Sequence, residues 1–140
     1  MVTFDYLPEF ERRAKVLAKK YRSFVDDYNS FLDELERNPF SGTPLGGNTY
    51  KHRMAIASKG KGKSGGARVI TYNVQQAESD ITITLMSIYD KSEISNVSDS
   101  YLRQLVDEIE SKKKDWEYLQ TDNKKGSANL AFPLLYACRR

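Results

Sequence analysis

The spacing of apolar residues changes once along this chain, and that change limits the folds open to it. Before Asn38-Pro39 the apolar residues recur every three or four positions, whereas between Tyr50 and Tyr89 they alternate or run together in β-branched clusters. The first period belongs to a helix with one buried face and the second to a strand. Pro8 suits the first turn of a helix in which Leu7, Phe10, Ala14, Leu17, Ala18 and Tyr21 fall on one face. Ser23, with Asp26 three residues on, reads as the N-cap of a second helix whose stripe is Phe24, Tyr28, Phe31, Leu32 and Leu35. Asn38-Pro39 ends it. So short a connection predicts an antiparallel helical hairpin.

Gly42 to Asn48 is turn chemistry and separates helices from strands. From about residue 50 to 57 the side chains alternate, with Met54 and Ile56 on one side and Lys51, Arg53 and Ala55 on the other. Ser58 to Gly66 is too rich in glycine for regular structure and reads as a mobile loop. Ala67 to Val74 and Ile81 to Tyr89 are strands, with a polar turn around Gln76 to Asp80. Ser98 or Ser100 caps a last helix, in which Leu102, Leu105, Val106, Ile109 and Trp116 share a face. The order predicts an α+β fold, its helices on one face of a twisted antiparallel sheet of three to four strands. Residues 1–119 form the domain, and 120–140 a tail whose apolar end has no clear period.

A chain of 140 residues fits one domain with a modest core, and 39% apolar residues are enough to fold it. Its single cysteine, Cys138, excludes an intrachain disulfide and a thiolate zinc site. The opening residues lack a basic region followed by an apolar one, and no stretch is long enough to cross a bilayer. A cytoplasmic protein is expected.

The net charge of +3 says little about partners, but its distribution says more. Lys51 to Arg68 holds six Lys/Arg residues and His52 with no Asp or Glu, a local positive potential suited to phosphate. Gly62-Lys63-Ser64 resembles the end of a phosphate-binding P-loop, yet Ala57 stands where the first glycine belongs and a strand follows instead of a helix. One histidine and one remote cysteine leave too few ligands for a catalytic metal, and a two-histidine ribonuclease is excluded. No cofactor is expected. Cation-based chemistry on phosphate remains: Lys51 and Arg53 share the outward face of one strand, and Arg68 opens the next. Tyr72 and Tyr89 offer rings for stacking on a base. Against this stand plainer readings. Lys59, Lys61 and Lys63 suit a solvated loop, Arg53 and Arg68 suit ion pairs with helix carboxylates, and both tyrosines suit burial.

Two strings and the order of elements carry a resemblance. Tyr50 to Tyr72, containing Gly60-Lys-Gly-Lys-Ser-Gly-Gly66, and Met86-Ser-Ile-Tyr-Asp-Lys-Ser-Glu93 resemble the HigB-like branch of the RelE/ParE toxins of type II toxin–antitoxin systems. Asn38-Pro-Phe-Ser-Gly-Thr-Pro-Leu-Gly46 fits it too, and the similarity covers roughly residues 4 to 118. The resemblance implies a RelE-like fold and a ribosome-dependent mRNA endoribonuclease that attacks through the ribose 2′-OH without metal. Carried over by position, Lys51, Arg53 and Arg68 match the family's basic strand positions, Lys91 falls near its late cationic residue, and the loop lysines Lys59, Lys61 and Lys63 fall on mRNA or ribosomal phosphates, with Tyr72 a stacking ring beside them. Some relatives place a catalytic tyrosine shortly after the last strand, where this chain reads Ile94-Ser-Asn-Val97, so Tyr89 is its nearest replacement. A cognate antitoxin, a small helix-turn-helix-type protein forming a hetero-oligomer with the toxin, is implied as partner. The superfamily's ParE branch inhibits DNA gyrase, which makes a gyrase inhibitor, or an inactive antitoxin-binding homologue, the alternatives.

Overall fold

The computed structural model describes residues 1–122, with side chains described as far as residue 112. The elements run β1 (Val2–Tyr6), α1 (Pro8–Lys20), α2 (Phe24–Arg37), β2 (Thr43–Gly46), β3 (Thr49–Met54), a single 3₁₀ turn at Ala57–Lys59, β4 (Ala67–Ala77), β5 (Asp80–Asp90) and α3 (Asp99–Asp122). Pro8 opens α1 as expected, with Glu9 and Glu11 in its first turn and Lys19 and Lys20 in its last, complementing the helix dipole. Ser23 holds the N-cap position of α2 without capping it: its hydroxyl donates to Asp27 Oδ2 at 2.6 Å and accepts from the Ser58 amide at 2.9 Å. Ser98 does cap α3, its hydroxyl accepting from the Tyr101 amide at 3.1 Å.

The five strands form one sheet in the order β1-β5-β4-β3-β2. β1 runs parallel to β5 and every other pair is antiparallel, so the sheet is mixed and larger than the antiparallel one expected. Two strands were hidden in the sequence. β1 is a five-residue edge strand before the first helix. β2 lies inside the glycine- and proline-rich run taken for a turn, and that run folds as a hairpin because Gly46, Gly47 and Asn48 adopt positive φ.

Helices cover both faces of the sheet, which corrects the one-sided layering expected. α1 and α2 bury Phe10, Leu17, Phe24, Tyr28, Phe31 and Leu32 against Met54, Val69, Ile83 and Ile88. α3 brings Leu105 onto the opposite face, against Ile70, Met86 and Tyr89, with Leu102, Val106 and Ile109 half-buried around it. Separate layers are needed because β4 is apolar on both faces, as a central strand must be: Val69 serves one and Ile70 the other. α3 continues to Asp122, past the boundary read at residue 119. Trp116 and the tail assigned to 120–140 fall where side chains or backbone lie outside the described residues.

A β-bulge decides which way the end of β5 faces. Ile70 pairs with Ser87 but Thr71 pairs with Leu85, leaving Met86 as an extra residue. Ile83 and Leu85 therefore face the α1–α2 core before the bulge, and Ile88 does so after it. The odd-numbered Tyr89 is turned to the α3 face.

Candidate anion-binding face of the sheet

Register places Arg53 of β3 directly opposite Arg68 of β4, and Arg68 directly opposite Tyr89 of β5. Directly paired residues point to the same face, so three strands contribute one cross-sheet row. Lys51 stands one row away, opposite Ile70, and Tyr72 a further row along, half-buried against α3. Arg53 is exposed, Lys51 half-buried, and Arg68 and Tyr89 buried. Two guanidinium groups opposite one another repel, and among the described residues no carboxylate pairs with Lys51, Arg53 or Arg68. Among the described residues, the plainer reading in which the arginines neutralise helix carboxylates finds no such pair.

Arg68 turns three N–H donors onto backbone carbonyls: Nη1 to Lys63 at 3.1 Å and Ala67 at 3.3 Å, and Nη2 to Ser64 at 3.1 Å. Of the five donors a guanidinium carries, two remain for a ligand. Burial, and then the charge of Arg53, hold the Arg68 pKa below its ordinary value. The Tyr89 hydroxyl is buried and has no hydrogen-bond partner among the described residues. Burial raises its pKa, only partly offset by Arg68, so at neutral pH it is a protonated donor. At 2% exposed, Tyr89 is too buried to stack on a base.

The remaining cations divide. Lys61 is exposed on the loop, and Lys63 is exposed with its ammonium 3.3 Å from Glu34. Lys91 is half-buried, its ammonium 3.4 Å from the Ser95 carbonyl and its backbone amide bonded to Gly66 O at 3.0 Å. Lys59, in contrast, is withdrawn from solvent into an ion pair with the buried Asp90 at 2.6 Å. Asp90 lies within the Tyr89-Asp90-Lys91-Ser92-Glu93 string. Hydrogen bonds from Lys59, Tyr21 and Ser92 overcome its burial and hold its carboxyl far below the usual range. Little in the local sequence marks it, because two of its three partners come from the residue that follows α1 and from the loop.

His52, the chain's one histidine, faces the other side of the sheet, edge-on to the Phe31 ring and 3.1 Å from the Thr71 hydroxyl. Burial pushes its pKa down to about 4. It is a neutral core histidine. An open cleft of about 340 Å³ beside it is lined by Lys51, Arg53 and Lys63 together with Glu34. Among the described residues no group of three or more His, Cys, Asp or Glu side chains could hold a metal ion, and no helix is long and apolar enough to cross a membrane.

What fold and site define is an α+β protein with helices on both faces of a mixed five-stranded sheet and, at one end of it, a cationic row that no carboxylate among the described residues pairs with. No protein-family model matches the chain.

Proposed function

We propose that this protein is the toxin of a type II toxin–antitoxin system of the HigB-like RelE/ParE kind, acting as a ribosome-dependent mRNA endoribonuclease. The observation that carries the reading is the Arg53–Arg68–Tyr89 row. Two facing cations cost stability in the free protein, and a phosphate between them relieves that cost. Cleavage by the ribose 2′-OH needs this arrangement, because negative charge grows on the phosphorane oxygens in the transition state. Arg53 and the two free donors of Arg68 meet that charge above the buried Tyr89, and of Lys51 and Lys91 one takes the proton of the attacking 2′-OH while the other gives one to the departing 5′-oxygen. A cognate antitoxin neutralises the protein by covering this face.

The test is induction of the chain in growing bacteria, with mRNA 5′ ends mapped against the reading frame while DNA damage is followed. The expected result is in-frame cutting that requires translation, reduced on the order of 100-fold or more by Arg53→Ala. Intact mRNA with DNA damage would replace this reading by gyrase inhibition, and a folded Arg53→Ala of full toxicity would remove the row from the mechanism.

A further inference from the structure

The loop joining β3 to β4 is fastened at both ends by cations that the sequence reading placed on RNA. At its start the Lys59 ammonium lies 2.6 Å from Asp90 Oδ1 and 3.3 Å from Ser92 Oγ, and 5.5 Å from the centroid of the Tyr21 ring. Tyr21 donates to the other oxygen of Asp90 at 2.5 Å, and Ser92 donates from its amide at 3.0 Å and its hydroxyl at 2.7 Å. Next to Lys59, the amides of Ala57 and Ser58 donate to Asp27 and Ser23 at 2.9 Å each. At the loop's end Arg68 grips the carbonyls of Lys63 and Ser64. Between these fastenings Gly60 and Gly62 bend the chain at positive φ, and Lys61 and Lys63 stand exposed.

A buried cation paired this closely is not available to RNA, since drawing it out would leave Asp90 buried without its charge partner. The Lys63–Glu34 bridge is different, exposed on both sides and easily exchanged for a phosphate. We propose that Lys59 is a positioning residue that, together with the grip of Arg68 on the Lys63 and Ser64 carbonyls, holds the loop so that Lys61 and Lys63 meet RNA phosphates in a fixed arrangement beside Arg53. This rests on the RNA reading above. A pre-ordered loop binds more tightly because less freedom is lost on association.

Trypsin reads the fastening without any RNA, because cleavage after Lys61 or Lys63 requires the loop to open. On the full-length chain, Lys59→Met is expected to raise cleavage at these two positions about tenfold over the rest of the protein, and Lys59→Arg, which keeps a cation on Asp90, to restore the slow rate. With mRNA on translating ribosomes as substrate, Lys59→Met is expected to raise KM about tenfold with kcat unchanged, an effect that disappears in a Lys61→Ala/Lys63→Ala background. Tyr21→Phe removes a bond to Asp90 and no loop cation, so it gives the same faster cleavage in milder form and serves if Lys59→Met does not fold. Unchanged loop cleavage, with a loss of RNA affinity that adds to that of Lys61→Ala/Lys63→Ala, would show Lys59 to be a direct contact and overturn the proposal. Faster loop cleavage in a protein that neither binds nor cuts RNA would uphold the fastening and overturn the RNA reading, so the two fail separately.

Discussion

Arg53, Arg68 and Tyr89 differ in what they have left to give a ligand, and the difference follows from their surroundings. Arg53 is free of protein partners among the described residues, Arg68 is partly committed to its own loop, and Tyr89 has an unused donor. His52 shows the opposite case, a titratable side chain turned into core. Its pKa is about 4 in the folded chain, against about 6.5 in an unfolded one. Above that range both states are neutral and nothing changes. As pH falls from 6.5 towards 4, the unfolded chain takes up a proton that the folded one refuses, so stability falls. The full difference is about 3 kcal/mol, complete near pH 4. Urea midpoints measured across this window are expected to drop in the wild type and to drop less in His52→Gln, which cannot titrate; parallel curves would mean that His52 is protonated without penalty. The lowered carboxyls of Glu9 and Asp90 act at lower pH, stabilising the fold above the ordinary carboxylate range and losing that contribution on further acidification.

Two features of the elements, the bulge in β5 and the close approach of the β3–β4 loop, shape the site. The bulge at Met86 reverses the alternation, so that Tyr89 joins Arg68 and the neighbouring Asp90 is turned to Tyr21 and Lys59. The loop returns to β4 through Gly66, whose amide donates to Lys63 O and whose carbonyl accepts from Lys91. A methyl group on Gly66 would lie 2.2 Å from the Met54 carbonyl and 3.1 Å from Ala55 Cα, and these are backbone atoms that cannot turn aside. Gly66→Ala is therefore expected to cost about 2–3 kcal/mol through overpacking and to loosen Arg68. Gly60→Ala meets open space and carries only the strain of a positive φ, about 1 kcal/mol. Denaturant unfolding of the two variants checks the ranking, and equal losses would contradict it.

At the scale of the whole molecule, the row and the loop make a one-sided cationic surface on a protein whose net charge is only +3. On the RNA reading proposed above, such a surface is expected to bind single-stranded RNA with an affinity that falls with salt. If Arg53, Arg68, Lys61 and Lys63 each meet a phosphate, log K is expected to fall against log salt with a slope of about −3. Lys61→Ala/Lys63→Ala should flatten that slope by about 1.4, while Glu110→Gln on exposed α3 should leave it unchanged. Fluorescence anisotropy on a short RNA across a salt series measures both, and a slope indifferent to the loop lysines would take them off the RNA.

The sequence by itself determined α1, α2, the strands β3 to β5 and α3, because each carries an apolar period or a capping residue within its own length. It also marked Arg53 and Arg68, whose setting is an acid-free stretch visible in one dimension. β1 was not legible because a short edge strand has little periodicity and owes its place to pairing with residues 81–85. β2 was masked by glycine and proline, which edge strands tolerate. Only tertiary structure decided that α3 takes the second face of the sheet, that one extra residue turns Tyr89 towards the arginines, and that Lys59 is held inside by Asp90 while Lys61 and Lys63 remain outside. The reason is common to all three. Register and ion pairing join residues tens of positions apart, and composition describes a cation without saying which carboxylate will reach it first.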